Sequence, residues 1–251
     1  MDFDFYDVDI LIGREIDEYE ETAPTIDDVN KELQRFNVSR ALVSNKKMFI
    51  SNPKRGNADL QEAVSGYDNL RGIYGINTFE ERHHTPSPLI VLDAVLKMNP
   101  AGLQLWPIHE TWSFSTWQCP ELFDAILQHR LPVFIHWNQI SDHNELVRVL
   151  QKWPDMKVVV QRVDYNSFRR FAAMMKVCAN LYITTTPKFV GGSAIEELDY
   201  QVGHDRILFG SGLFNYDILP AVGQITYANL SDEKKADIAS GNLLRILEEI
   251  K

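Results

Sequence analysis

"LPVFIHWNQISDHNELVRVLQKWPDMKVVVQ" runs from Leu131 to Gln161 and reads as strand, helix, strand. "VFIHW" (Val133–Trp137) and "KVVVQ" (Lys157–Gln161) are short, apolar and rich in β-branched or aromatic side chains. Neither alternates cleanly between apolar and polar, as expected of parallel strands covered on both faces. Between them Leu146, Leu150 and Trp153 line one stripe of a helix, and Ser141 is placed to cap it. A strand, a crossover helix and a second parallel strand make a βαβ unit.

The unit recurs outward in both directions, with β-rich runs roughly every 25–30 residues. "VDILIG" (Val8–Gly13), "RALVS" (Arg40–Ser44), "RGIYGI" (Arg71–Ile76) and "GLQLW" (Gly102–Trp106) precede it; "LYITT" (Leu181–Thr185) and "RILFG" (Arg206–Gly210) follow. Helical patterns separate them. Ile26, Val29, Leu33 and Phe36 share a face behind a Thr25 cap, and Pro120 opens "CPELFDAILQHR", where Leu122 and Ile126 pair. "NSFRRFAAMMKVC", a weaker "AIEELDYQV" and the closing "SDEKKADIASGNLLRILEEI" complete the series. Eight strands alternating with helices predict a single-domain (β/α)8 TIM barrel over residues 1–251, close to the usual size of about 250 residues. A doubly wound open sheet is the alternative, but no G-x-G-x-x-G follows the first strand.

The 251 residues carry 25 basic and 35 acidic side chains, a formal charge of −10. Such a chain repels nucleic acid and anionic membrane surfaces, so neither is an expected partner. Cys119 and Cys178 form no C-x-x-C pattern, and the acidic start "MDFDFYDVDI" is unlike a signal peptide. No apolar run approaches the ~20 residues of a spanning helix. A cytoplasmic location is the expectation, with self-association open.

Several strings together resemble the amidohydrolase-related TIM-barrel family. "RFNVSRALV" is similar to its first helix entering strand two, "LPVFIHW" to its strand five, and "WPDMKVVV" to the approach to strand six. "DRILFGSGLF" with "LSDEKKADIASGNLLRIL" is similar to strand eight and the closing helix. The resemblance implies small-molecule hydrolase, lactonase or decarboxylase chemistry on a divalent metal at the C-terminal mouth. The ligands would be His-x-His from strand one, a His from each of strands five and six, and an Asp from strand eight.

At those positions this chain has Asp9 and Leu11, then His136, Arg162 and Gly212. Leucine cannot ligate, and arginine stays protonated and repels a cation. The resemblance therefore implies a dismantled site with no metal ligands and no cofactor, zinc or another divalent ion being disfavoured. Arg162 reads either as a salt-bridge partner of Asp9 or as an anchor for a carboxylate or phosphate. His136 is the candidate catalytic residue, suited by its titration range to acid–base work. Asp9, Arg162, Trp106, His109 and Trp137 are the candidate ligand-binding residues.

Trp112, Phe114 and Trp117, with Tyr74 and Phe79, extend an aromatic group open to three readings: a pocket lid, a loop folded on the barrel, or a subunit contact. Glu80, Glu81, His83, His84, His109, Glu110 and His143 are loop polar groups that could rebuild a metal site, with His136 a further ligand, although no His-x-His or H-E-x-x-H spacing supports it. "FGSGL" around Ser211 does not match a nucleophile elbow. The expected function is binding of a small anionic molecule at the mouth with little or no metal-dependent hydrolysis. The alternative is a hydrolase, lactonase- or decarboxylase-like, acting on a carboxylate-bearing substrate without metal or with a relocated one.

Overall fold

Each of the eight runs becomes a strand of one parallel sheet, in the order β1 to β8. The computed structural model describes residues 3–14, 23–77, 87–189 and 193–251. The strands are β1 (Phe5–Ile12), β2 (Val38–Asn45), β3 (Leu70–Gly75), β4 (Gly102–Leu105), β5 (Val133–His136), β6 (Val158–Gln161), β7 (Leu181–Thr185) and β8 (Ile207–Phe209). The chain is a (β/α)8 barrel with the helices outside. The seam between β8 and β1 is bridged by a side chain: Asp7 Oδ1 accepts from the Ser211 N–H at 3.0 Å, and Asp7 Oδ2 accepts from the Ser211 hydroxyl.

The helices are α1 (Ile26–Arg35), α2 (Lys47–Ile50), α3 (Pro53–Val64), α4 (Pro88–Leu96), α5 (Pro120–His129), α6 (His143–Lys152), α7 (Phe168–Val177), α8 (Ala194–Val202), α9 (Ile218–Thr226), α10 (Asp232–Ala236) and α11 (Asn242–Glu248). Thr25 caps α1 in a reciprocal capping box with Asp28. The cap of α6 is Asp142 rather than Ser141; its carboxylate accepts from the Asn144 N–H at 2.8 Å and, being charged, suits the helix N-terminus. The closing helix is interrupted by a π-helical turn at Asp237–Gly241.

Most of the apolar core lies between sheet and helices. A second cluster, Tyr6, Val8, Leu42, Ile73, Phe134, Val159 and Leu208 among them, fills the barrel interior. Because strand side chains repeat every two residues, stepping two positions toward the C-terminal end identifies the next interior layer: Ser44, Gly75, His136, Gln161 and Gly210. A Cβ on Gly102 would strike the interior Phe134 ring at 2.5 Å, so Gln104 and Trp106 also point inward. Tyr182 packs on the interior cluster, which turns Thr184 and Thr186 inward as well. The filling thus changes from apolar to polar at the mouth.

Candidate functional site at the barrel mouth

Asp9 reaches the mouth through a bulge. Asp7 pairs with Ala41 and Ile10 with Val43, so β1 spends one more residue than β2 over the same span. The Asp9 N–H donates to Asp7 Oδ1 at 3.0 Å and helps fix the kink. The Asp9 side chain is 1% exposed, and both its oxygens lie 3.0 Å from Arg162 Nε. Arg162 Nη1 donates to Asn215 Oδ1 at 2.8 Å. Arg162 Nη2 is 3.0 Å from Asp9 Oδ1 but misdirected, leaving it without a hydrogen-bond acceptor among the described residues. The Arg162 backbone sits in the left-handed region at φ 59°, a conformation that costs of order 1–3 kcal/mol and points to a residue fixed by its surroundings.

His136 ends β5 beside this pair, its Nε2 3.8 Å from Asp9 Oδ1. Its pKa lies well below the ordinary histidine value, first because burial penalises the cation, then because Arg162, His109 and Lys188 repel it. The imidazole is neutral at pH 7. The Trp106 and His136 rings meet in a T-shaped contact at 4.6 Å between centroids, and Trp106 packs on Phe49 at 4.1 Å. His109 is exposed, stacks on Phe49 at 4.8 Å, and is tied down where Gln139 Oε1 accepts from the Ile108 and His109 N–H groups.

Asp9, Arg162, His136, Trp106 and His109 are therefore brought together. Trp137 is not: its ring stacks on His143 at 4.2 Å, meets Phe171 edge-on, and donates from Nε1 to Ser167 Oγ at 2.9 Å. Trp112 and Phe114 are buried toward Phe123 of α5, while Trp117 is exposed. Tyr74 sends its hydroxyl outward to Gln61 of α3. Glu110 is half-buried and accepts from Trp112 Nε1; burial pushes its carboxyl up to about 8. Phe79, Glu80, Glu81, His83 and His84 lie outside the described residues.

Sequence reasoning passed over the polar wall itself. Gln104 Nε2, Trp106 Nε1, Gln161 Oε1, Thr184 Oγ1 and Thr186 Oγ1 are buried and have no hydrogen-bond partner among the described residues. They form one arc from β4 to β7: Trp106 touches His136, His136 pairs in register with Gln161, and Thr184 faces Gly210 and Asp9. Their signal is the two-residue period counted back and forward from His136.

The donor set does not fit the divalent ion implied by the resemblance. Asp9 already spends both oxygens on a guanidinium, and Leu11 and Arg162 offer no lone pair to a metal. At Gly212 the φ is +64° and a Cβ would meet the Tyr216 ring at 2.7 Å, so the backbone has no room for a side chain there. Elsewhere, among the described residues, His204, Asp205 and Asp237 bring ligand atoms within 4.8 Å of one another. That group lies at the start of β8, the end opposite the mouth, and Arg245 Nη1 already bonds Asp237 at 2.9 Å.

The amidohydrolase family model matches residues 95–248. That is more than half of the chain, which therefore belongs to the amidohydrolase family. Solved structures share the fold at low identity. A protein from Pseudomonas putida assigned as a 2-pyrone-4,6-dicarboxylic acid hydrolase has a TM-score of 0.74 at 16% identity, covering 99% of each chain. The 5-carboxyvanillate decarboxylase of Sphingomonas paucimobilis has 0.73 at 13%, covering 100% of both. A dihydroxybenzoic acid decarboxylase from Polaromonas, with bound manganese and 2-nitroresorcinol, has 0.75 at 13%, covering 98% of this chain and 97% of its own. No curated protein matches this chain. Among the described residues no helix is long and apolar enough to cross a membrane.

Proposed function

We propose that the mouth binds a small carboxylate-bearing molecule, and that it does so without the family's divalent ion. One observation carries the reading: the buried polar groups at the mouth that have no hydrogen-bond partner among the described residues. Gln104 Nε2, Trp106 Nε1 and Arg162 Nη2 can only donate, and the Thr184 and Thr186 hydroxyls can donate. Buried donors left unsatisfied are costly, at ~1–3 kcal/mol each, and an anion supplies the acceptors they need. Arg162 contributes a charge that no usable pH removes. The neighbours that act on aromatic or pyrone carboxylates support a ligand of that class.

The test is calorimetric titration with benzoate on the wild-type protein, Trp106→Phe and Arg162→Lys. The expected result is saturable one-to-one binding in metal-free buffer, weakened about 5–30-fold by Trp106→Phe, the equivalent of ~1–2 kcal/mol for one hydrogen bond. Benzoate binding that appears only after manganese is added would overturn the reading.

A second reading is favoured by the position of the His136 imidazole at the centre of the arc, beside Asp9 and Arg162, where its free lone pair can accept a proton, as a base weaker than an ordinary histidine. In that case a carboxylate held by Arg162 is turned over rather than only bound. Turnover that survives a chelator and disappears in His136→Gln would select this reading over binding alone.

A further inference from the structure

The loop after β8 places two adjacent side chains, Asn215 and Tyr216, against two cations from different strands. Asn215 Oδ1 accepts from Arg162 Nη1 at 2.8 Å, and Lys188 Nζ lies over the Tyr216 ring at 5.9 Å from its centroid. Lys188 follows β7 in the turn Pro187–Phe189, and it is exposed, with no carboxylate partner among the described residues. Tyr216 also borders Gly212, whose Cβ position is 3.6 Å from Asp9 Oδ2. Arg162, Lys188 and Asp9 thus share one rim. The charges of both Arg162 and Lys188 reach His136.

Charge accounting at this rim is uneven. Asp9 offsets the positive charge of Arg162, while nothing among the described residues offsets Lys188. Beneath the rim lie the neutral donors Gln104, Trp106, Thr184 and Thr186, all 3% exposed or less. A ligand with one anionic end satisfies either the rim or the floor. A ligand with two would satisfy both: one carboxylate on the rim beside Lys188 and the Arg162 guanidinium, the other on the buried donors.

We propose that Lys188 is a specificity-determining residue of the mouth that selects small dicarboxylates over monocarboxylates. This rests on the carboxylate-binding reading above, and it adds a residue and a ligand charge which that reading leaves open. Tyr216 positions the ammonium by a cation–π contact.

The experiment is titration of the intact protein with benzoate and isophthalate, which differ by one carboxylate, on wild type, Lys188→Gln and Lys188→Arg. The expected result is at least a tenfold preference for isophthalate in the wild type. Lys188→Gln should lower that ratio about tenfold, and Lys188→Arg should restore most of it. Raising salt should compress the wild-type ratio, as expected for an exposed charge. If benzoate binds and the ratio is near one, or is unchanged in Lys188→Gln, the Lys188 assignment is overturned while the carboxylate site stands. If neither compound binds, both fail.

Discussion

Arg162 Nε stands 3.0 Å from each carboxylate oxygen of Asp9, joining the end of β6 to β1 across the barrel mouth. The two residues are 153 positions apart in the chain, and the ion pair is almost fully buried, with side chains 13% and 1% exposed. A buried pair gains its attraction only by repaying the desolvation of both ions, and its value appears mainly when one partner is lost. The pair also decides the chemistry of the mouth, because the carboxylate best placed to hold a cation already holds one.

Removing Arg162 alone leaves Asp9 charged and buried. Arg162→Met should therefore lower unfolding stability by about 3–5 kcal/mol, and Asp9→Asn/Arg162→Met should recover most of the loss. Urea denaturation of the wild type, both single variants and the double variant at pH 7 measures the coupling. Single-variant losses that simply add would show that the pair does not act as a unit.

Asp7 gives a pH signature. Burial pushes its carboxyl up to about 6, opposed by hydrogen bonds from Ser211 and the Asp9 N–H. Below about pH 4 the group is protonated in both folded and unfolded chains, and its contribution is fully present. As pH rises through 6 the folded state must ionise a carboxyl that the unfolded chain ionised earlier, so stability is lost, by about 3 kcal/mol in total. Asp7→Asn should flatten the stability profile between pH 4 and 6.5 relative to wild type. Parallel profiles for the two proteins would count against the assignment.

The barrel was legible because its strands are apolar runs at a regular period, and periodicity is local information. All eight runs were placed, yet β1 begins at Phe5 rather than Val8 because Asp7 and Asp9 interrupt its apolar pattern. Helix α3 was passed over, its charged "PKRGNADLQEAV" hiding a buried face of Gly56, Asn57, Leu60 and Val64. In the site, the meeting of Asp9 and Arg162 was one of two open readings. Resemblance gave their positions, but the meeting itself depends on the β1 bulge and the left-handed Arg162 backbone. Trp137 was grouped with the mouth because it follows His136, whereas adjacent strand residues face opposite ways. Lys188 and Asn215 had no motif to mark them, since they act through a loop from another strand.

His136 should remain neutral through the physiological range. Its depressed pKa means that the unfolded chain takes up a proton near pH 6.5 and the folded chain does not. Its contribution to stability is thus present above pH 6.5 and is lost as pH falls, the opposite sense to Asp7. In the NMR spectrum its ring Cε1 proton should not shift between pH 5.5 and 8, and assignment by His136→Gln identifies the signal. A midpoint inside that window would remove the basis for treating His136 as the neutral base of the mouth.

Gly212 decides whether the loop after β8 can carry an acid at the position where the resemblance implies one. Its φ of +64° suits glycine, and a Cβ there would lie 2.7 Å from Tyr216 Cδ2. Gly212→Ala combines backbone strain with this clash and should cost roughly 1–3 kcal/mol. Tyr216→Ala in the same chain should return the part due to the ring and leave the part due to the backbone. Gly212→Asp should cost at least as much as alanine, and it should not create a metal site, because Arg162 still holds both oxygens of Asp9. Thermal unfolding with and without manganese, together with elemental analysis, reads both effects. If Gly212→Asp is as stable as wild type and takes up one ion per chain, then the loop after β8 is adaptable and the mouth is a metal site lacking one ligand. If the variant is destabilised and metal-free, the backbone at this position excludes an acid, and the guanidinium of Arg162 is the resident cation of this barrel.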